Sequence, residues 1–490
     1  MGCFGSLRTS VQFRSSSSAG TSRRCSVSSQ SDRQGTTRGL AMTTFDQILP
    51  LSIEILVSHR DRIAQLEWLV INRDLNGRVR FIAPEQLRDN AVQRAELEAI
   101  YTALSERLAP HSYSAGSGIL YEASRELTCQ GASHFALSEL DNVWMVDRLV
   151  TEANWSSITP ETESVPRIVF FSIKGGVGRS TALAATAWSL AQAGKRVLVL
   201  DLDLESPGLS SALLPLDRQP MYGITDWLVE DLVDNGNAVF DSMVATSNLS
   251  HDGEIHVVPA HGTNHGEYIA KIGRVWMPKL HADGAREMWS ARLGRLLQAL
   301  ETRVQPDVVL IDSRSGIDEI ASACITELGA NLILLFALEG EQTWNGYRML
   351  FEQWHRAHVA ETIRERLKIV GAIVPELERV TYLEGLRESA YGIFSDTLYD
   401  EIAPARPEAI GPTSNGDGKW RVDDFVEGWN FDEADEGAPH YPWAVNWHRS
   451  FAGLRSLQGR LASIDAQEVQ SVFGPLIGGV SDATDSRNPA

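Results

Sequence analysis

Ser172-Ile-Lys-Gly-Gly-Val-Gly-Arg-Ser-Thr181 is the stretch that decides the fold class of this 490-residue chain. An apolar run of strand length, 167–172, precedes it, and an alanine- and leucine-rich segment, 181–193, follows it and ends at Gly194, a residue suited to a helix C-cap. A glycine-rich turn between a strand and a helix lets backbone N–H groups converge on phosphate oxygens. The stretch therefore predicts a phosphate-binding loop, with a nucleoside triphosphate as the ligand class.

Two positions depart from the ordinary loop pattern G-x-x-x-x-G-K-[ST]. Ile173 stands in place of the first glycine, and Arg179 stands in place of the lysine. Arginine keeps the positive charge, but its guanidinium is planar and bulkier than an ammonium. Ser180 occupies the position of the hydroxyl that ligates Mg²⁺. We expect the nucleotide to be bound by Lys174, Gly175, Gly176, Val177, Gly178, Arg179, Ser180 and Thr181.

The lysine at the head of the loop carries a family resemblance. K-G-G-V-G-[KR]-[ST]-T resembles the deviant Walker A loop of the ParA/MinD superfamily of P-loop ATPases, which is of the SIMIBI class. In that family the leading lysine reaches across a nucleotide-sandwich dimer to the ATP of the partner. The resemblance implies ATP and Mg²⁺ as cofactors, an ATP-dependent homodimer, and Lys174 and Arg179 as candidate catalytic residues.

Two acidic motifs follow predicted strands downstream of the loop. Asp201-Leu-Asp203 comes after the apolar run 195–200, and Asp312 comes after the apolar run 307–311. Carboxylates at the carboxyl ends of strands beside a phosphate site suit Mg²⁺ and its waters. By resemblance to the family's D-x-D segment and Walker B motif, Asp201 and Asp312 lie near the metal together with Ser180. By the same resemblance Asp203 orients the attacking water and joins the catalytic candidates.

The resemblance extends over about residues 165–405 and implies a fold. Apolar runs at 254–260, 331–337 and 367–375 supply further buried strands. We expect an α/β fold with a mostly parallel, doubly wound P-loop sheet and helices on both faces. The family often has an asparagine after the last of these strands to read adenine, where this chain has Val374-Pro375. For Arg314 we favour pairing with Asp318 or Glu319 over a phosphate contact.

Composition sets limits on the partners. The net charge is −20, and residues 1–41 carry six arginines and one aspartate, which leaves −25 for the rest of the chain. Such a body repels DNA, so we expect no nonspecific DNA binding. No run is long and apolar enough for a transmembrane segment. The four cysteines, Cys3, Cys25, Cys129 and Cys324, are widely separated, which indicates a reducing, cytoplasmic compartment.

The chain divides by composition into five parts. Residues 1–41 are rich in serine and arginine and are predicted to be disordered. They are open to three interpretations: a lipidation signal at Met1–Ser6, a transit peptide, or an extension upstream of a natural start near Met42, which we favour. Residues 43–150 are predicted to be a small α/β domain of unknown role, 151–166 a linker, 167–465 the P-loop domain and 466–490 a flexible, glycine-rich tail. The spacing of Trp443, Trp447, Phe451, Leu454 and Leu457 predicts a last amphipathic helix.

Three classes of function agree with the sequence. The first is a low-turnover ATPase that acts as a nucleotide-dependent dimer switch in positioning, partition or a bacterial defence-type system. The second is a nucleotide-sensing scaffold with little hydrolysis, such as a localisation factor, and Arg179 motivates it. A ligase or synthetase of the same fold is a third possibility. The protein partner and the role of residues 43–150 are not indicated by the sequence.

Overall fold

A computed structural model describes residues 43–149, 153–263, 265–400, 428–451 and 457–486. The predicted disordered segment 1–41 therefore lies outside the described residues. In the described part of the chain, no helix combines the length and the apolar character needed to cross a membrane.

The first part of the described chain is a small α/β unit around a five-stranded sheet. Its elements are α1 (Ile48–Ser58), α2 (Arg60–Ile63), β1 (Leu69–Arg73), β2 (Val79–Pro84), α3 (Ala91–Leu108), β3 (Ile119–Glu122), α4 (Arg125–Cys129), β4 (Ser133–Ala136) and β5 (Val143–Asp147). The strand order is β3-β2-β1-β5-β4, with parallel and antiparallel pairs. The apolar stripe of α3, which includes Leu97, Ile100 and Leu104, is buried against this sheet, as its helical spacing predicts.

The second part is built around an eight-stranded sheet. Its strands are β6 (Arg167–Ser172), β7 (Arg196–Asp201), β8 (Ala245–Thr246), β9 (Glu254–Val258), β12 (Val308–Ser315), β13 (Leu332–Ala337), β14 (Leu367–Val374) and β15 (Trp443–Asn446), and β10 (Lys279–Leu280) with β11 (Arg286–Glu287) forms a separate hairpin. The helices are α5 (Arg179–Gln192), α6 (Leu209–Leu213), α7 (Ile224–Asp231), α8 (Asn237–Phe240), α9 (Tyr268–Val275), α10 (Trp289–Val304), α11 (Glu319–Ser322), α12 (Glu341–Arg356), α13 (Ala360–Ile363), α14 (Arg379–Thr397), α15 (Leu457–Leu461) and α16 (Ala466–Asp485).

The large sheet has the order β15-β14-β13-β6-β12-β7-β9-β8, and all its pairs except β8 with β9 are parallel. Two buried clusters lie on its two faces. One contains the side chains of α7, α10, α12 and α14, and the other contains those of α5, α6 and α16. The predicted doubly wound α/β fold is confirmed. Because consecutive strands run in the same direction, the segments that leave their carboxyl ends meet along one edge of the sheet.

The carboxyl-terminal prediction is wrong in two respects. Residues 466–485 form the 20-residue helix α16 instead of a flexible tail, and Val472, Phe473 and Leu476 on it are buried against the sheet. Gly474, Pro475, Gly478 and Gly479 suggested a flexible chain, but a Cβ at position 479 would lie 2.2 Å from the ring of Trp443. This glycine therefore allows α16 to approach β15 closely.

The segment from Trp443 was predicted to be helical and begins as an edge strand. Trp443–Asn446 is β15, which pairs in parallel with β14. A short 3₁₀ turn follows at Arg449–Phe451, and Leu454 lies outside the described residues. The aromatic side chains at 443 and 451 nevertheless pack on the core, because Phe451 stacks edge-on against Phe473 of α16 at 5.0 Å.

Residues 153–166, most of the predicted linker, contain no helix or strand but lie against the second part. The backbone N–H of Thr159 donates to the carbonyl of Thr326 at 2.7 Å, and that of Thr162 donates to Gly329 at 3.0 Å. These hydrogen bonds hold the segment that leads into β6 against the second part.

Candidate functional site

The glycine-rich loop joins the carboxyl end of β6 to the amino end of α5. Gly176 and Gly178 have φ values of +76° and +80°, which side chains with a Cβ rarely adopt. No atom of the residues that the structure describes lies within 4 Å of the position that a Cβ would take at Gly176, so the described part of the chain leaves the loop open there. Its amides and the amino end of the 14-residue helix α5 can therefore meet an anion from outside.

Ile173, which replaces the first glycine of the loop, is held by helix α12. A Cβ added to Gly346 of that helix would lie 2.5 Å from Cγ2 of Ile173. Tyr347, which follows Gly346 on α12, is fully buried and donates from its hydroxyl to the carbonyl of Phe336 at 2.8 Å. The isoleucine at 173 thus fits against α12 because residue 346 is a glycine.

Arg179 is buried in the floor of the site. Its Nε donates to Oδ1 of Asp312 at 2.7 Å and its Nη1 donates to Oγ of Ser172 at 3.1 Å. Its Nη2 lies 3.6 Å from Oδ2 of Asp203, and only 7% of the side chain is exposed. The arginine at the position of the loop lysine therefore binds Asp312 instead of extending along the loop.

Asp201 and Asp312 face each other across neighbouring strands. They are register partners on β7 and β12, and both are buried. Burial raises the pKa of Asp201 to about 7, and the charge of Asp312 adds to the rise. Backbone N–H groups of Asp203 and Ser210 donate to the Asp201 carboxylate at 3.3 and 3.4 Å and oppose this effect. The two strands thus bring together the two carboxylates that the sequence placed near a metal.

Asp203 lies on the segment that follows β7, and two arginines contact this segment. Burial raises the pKa of Asp203, while the guanidinium of Arg179 acts against the rise. Arg314 on β12 pairs with Glu205 at 2.6 Å and with Asp318 at 3.0 Å. The predicted pairing of Arg314 with Asp318 is confirmed, and the contact with Glu205 is an addition that the sequence did not indicate.

Lys174 has an environment unlike that of Arg179. It is partly exposed at the head of the loop and makes no hydrogen bond or ion pair with any residue that the structure describes. Ser180 and Thr181 are partly exposed on the first turn of α5, and Val177 is buried beneath the loop. Of the two cations of the loop, Lys174 is therefore accessible and Arg179 is committed to the protein interior.

The oxygen donors of the site suit Mg²⁺. The hydroxyl of Ser180 and the carboxylates of Asp201 and Asp312 are hard oxygen ligands of the kind that this ion prefers. In the described ranges, however, no group of three or more His, Cys, Asp or Glu residues has the arrangement of a metal site. Since Oδ1 of Asp312 also accepts from Arg179, a Mg²⁺ ion here would depend on oxygens from the nucleotide.

Comparison with known proteins agrees with the geometry of the loop. Residues 168–388 match the family described as the CobQ/CobB/MinD/ParA nucleotide binding domain. This domain belongs to the ParA/MinD superfamily. The septum site-determining protein MinD of Buchnera aphidicola subsp. Acyrthosiphon pisum is 28% identical over 178 residues, which are 36% of this chain and 52% of that protein. The chain thus spans about half the length of this curated relative.

Solved structures of the superfamily resemble only part of the chain. A plasmid partition protein from Borrelia burgdorferi has a TM-score of 0.32 and 17% identity, with 46% of this chain and 86% of that chain covered. Cobyrinic acid a,c-diamide synthase from Mycobacterium smegmatis, solved with an ATP analog and magnesium, has a TM-score of 0.33 and 19% identity, with 49% and 86% covered.

Three contacts of the ParA/MinD-type site could not be read from the sequence. Gly346, Ser172 and Glu205 belong to the site through their contacts with Ile173, Arg179 and Arg314 respectively. Ser172 precedes the motif, and Gly346 lies 173 residues beyond Ile173 along the chain. The only signal in the sequence was the pair of departures themselves, since a larger residue at 173 and a larger cation at 179 both need compensating neighbours.

Proposed function

We propose that this protein binds ATP at the glycine-rich loop and acts as a nucleotide-dependent dimer switch with slow hydrolysis. The proposal rests on the different environments of two cations of the loop. Lys174 is accessible and unpaired among the described residues, whereas Arg179 is buried against Asp312. An accessible cation at the rim of a phosphate site can contact the phosphates bound by a second copy of the chain, and a buried cation cannot.

Exposed apolar side chains on segments that follow strands of the large sheet also support a dimer. Ile317 follows β12, Leu377 and Val380 follow β14, and Ile269 lies on α9, whose Tyr268 hydroxyl contacts the carbonyl of Leu204 behind β7. We call these four residues the apolar rim; Leu377 and Ile269 are 82% and 89% exposed. The segments that carry these residues follow the carboxyl ends of β9, β12 and β14, and the loop follows the carboxyl end of β6 at the same edge of the sheet. Covering the apolar rim would favour association of two copies through this edge.

Slow hydrolysis follows from the position of Arg179. Stabilising charge on a transferred phosphoryl group requires cations that lie near it. With its guanidinium on Asp312 and Ser172, Arg179 offers this charge only after leaving both partners. The same observation favours the second candidate function, a nucleotide-sensing scaffold with little or no turnover.

The cofactor, location and biological role are parts of the same proposal. A Mg²⁺ ion that arrives with the nucleotide would lie near Ser180 and Asp201, because Oδ1 of Asp312 already accepts from Arg179. The buried free thiols of Cys129 and Cys324 fit a reducing, cytoplasmic location. A positioning role agrees with the name of the septum site-determining MinD relative. We propose no nonspecific DNA binding, because the chain without residues 1–41 carries a net charge of −25.

The test combines molar mass with turnover. Light scattering should show a monomer with ADP and a dimer with ATP, and steady-state hydrolysis should be slow. Lys174→Ala should weaken the ATP-dependent dimer, whereas the control Lys195→Ala, at the opposite edge where Lys195 pairs with Asp485, should leave it unchanged. One unchanged mass under all conditions would contradict the dimer switch, and rapid hydrolysis would contradict the slow site.

A further inference from the structure

The ion pair between Arg179 and Asp312 has a consequence for metal binding. Asp312 has Oδ1 engaged at 2.7 Å by Arg179 and is 1% exposed. A Mg²⁺ ion that uses this carboxylate, directly or through a water, must share it with the guanidinium that already engages Oδ1. The guanidinium and the ion therefore compete for one buried group.

The arginine is held more firmly than a lysine would be. Its fork of donors reaches Asp312 and Ser172 at the same time, and its third nitrogen lies 3.6 Å from Asp203. A lysine ammonium is a single point of charge on a flexible stem, so it can leave one acceptor without giving up a second. Substitution of lysine by arginine thus changes how readily Asp312 becomes available.

The charges in the floor of the site agree with this competition. The guanidinium of Arg179 contacts Asp312 and lies 3.6 Å from Asp203, and Asp201 is the register partner of Asp312 on the neighbouring strand. The guanidinium supplies the neutralisation that a divalent ion would otherwise supply to Asp312. A Mg²⁺ ion brought beside a fixed, buried guanidinium is repelled by it, and the low exposure of the pair limits screening by solvent.

We propose that Arg179 takes the place of the metal at Asp312, so that ATP binds this protein with little dependence on Mg²⁺. The inference rests on the proposed binding of ATP at the loop. It concerns the cation that balances the acidic floor, whereas the loop amides and the amino end of α5 hold the phosphates with or without the metal.

Calorimetric titration with ATP, in excess Mg²⁺ and in EDTA, tests this directly. For the unaltered protein we expect the two dissociation constants to agree within about threefold, and for Arg179→Lys we expect EDTA to weaken binding by about tenfold or more. The matched control is Arg167→Lys, which makes the same change at a buried pair with Glu301 at the other end of β6 and should behave like the unaltered protein.

A second measurement observes the metal itself. Electron paramagnetic resonance with Mn²⁺ should show weak metal binding to the ADP complex of the unaltered protein and tighter binding to that of Arg179→Lys. If Arg179→Lys fails to fold, the two ATP titrations and the Mn²⁺ titration of the unaltered protein still test whether ATP binding depends on the metal. A tenfold or larger loss of ATP affinity in EDTA for the unaltered protein would overturn this inference alone. Absence of ATP binding in both buffers would overturn the proposed function together with it.

Discussion

Gly346 of α12 lies directly against Ile173 of the phosphate loop, where a Cβ would come within 2.5 Å of the isoleucine Cγ2 and 3.1 Å of its Cγ1. These atoms are close to the branch point of Ile173 and cannot rotate away like the end of a long side chain. Gly346→Ala should therefore displace the head of the loop and weaken ATP binding by about tenfold or more, measured by calorimetric titration.

A second glycine provides the control for this prediction. Gly392 lies inside helix α14, and among the described ranges no atom lies within 4 Å of the position that a Cβ would take there. Gly392→Ala should leave ATP affinity unchanged and raise the free energy of unfolding by up to about 1 kcal/mol, because alanine is the better helix former. Equal ATP affinity in both variants would show that the contact at 346 does not position the loop.

Arg179→Lys should increase ATP turnover. A lysine at this position can leave Asp312 and reach the phosphates, so we expect the steady-state rate to rise by about tenfold or more, which corresponds to about 1.4 kcal/mol of activation free energy. The rate is measured as phosphate release at saturating ATP and Mg²⁺. Rapid ATP hydrolysis by the unaltered protein, or an unchanged hydrolysis rate in Arg179→Lys, would contradict the interpretation that Arg179 slows turnover.

Asp231 provides a prediction for the dependence of stability on pH. Its carboxylate is buried among Arg292 at 2.9 Å, Arg295 at 2.8 Å and Lys279 at 3.2 Å. Burial would raise its pKa, but the hydrogen bonds from Arg295 and Arg292 outweigh burial and lower the pKa from 3.8 to about 2. The resulting stabilisation is complete above the unfolded-state pKa of 3.8 and is lost as the pH falls through 2.

Asp231→Asn should cost about 3–5 kcal/mol of unfolding free energy at neutral pH, because it leaves buried cations uncompensated. The penalty should shrink by about 2 kcal/mol between pH 4 and pH 2, since a lowered pKa contributes about 1.4 kcal/mol per unit. Urea denaturation at each pH measures it. Asp241→Asn, at an exposed pair with Arg303, is the control with little expected effect, and a penalty for Asp231→Asn that did not change with pH would refute the assignment.

Phe473 tests whether α16 is part of the core. Its side chain is 2% exposed and stacks edge-on against Phe451. Phe473→Ala should reduce the free energy of unfolding by about 3–5 kcal/mol, the usual cost of removing a buried aromatic ring. Gln467→Ala, an exposed position on the same helix, should change it by less than about 0.5 kcal/mol. Similar small effects of both substitutions would mean that residues 466–485 behave as the tail that the sequence suggested.

Part of the candidate site could be predicted because its signals are local. The loop 172–181 and the carboxylates at 201, 203 and 312 each follow an apolar strand, and parallel strands bring their carboxyl ends to one edge. The position of α16 could not be predicted in this way. Its glycines and proline suggest a flexible chain until Trp443 of β15 is known to lie against Gly479.

The fold class, the order of the motifs and the segments that form the phosphate loop can be predicted from local sequence, because strand, loop and helix are encoded by residues next to one another. The contacts of the two residues that depart from the motif become visible in the folded chain. Arg179 meets Asp312 across 133 residues, and Ile173 meets Gly346 from another helix. Such contacts depend on which buried side chains the packing brings together, and no local pattern of the sequence records that choice.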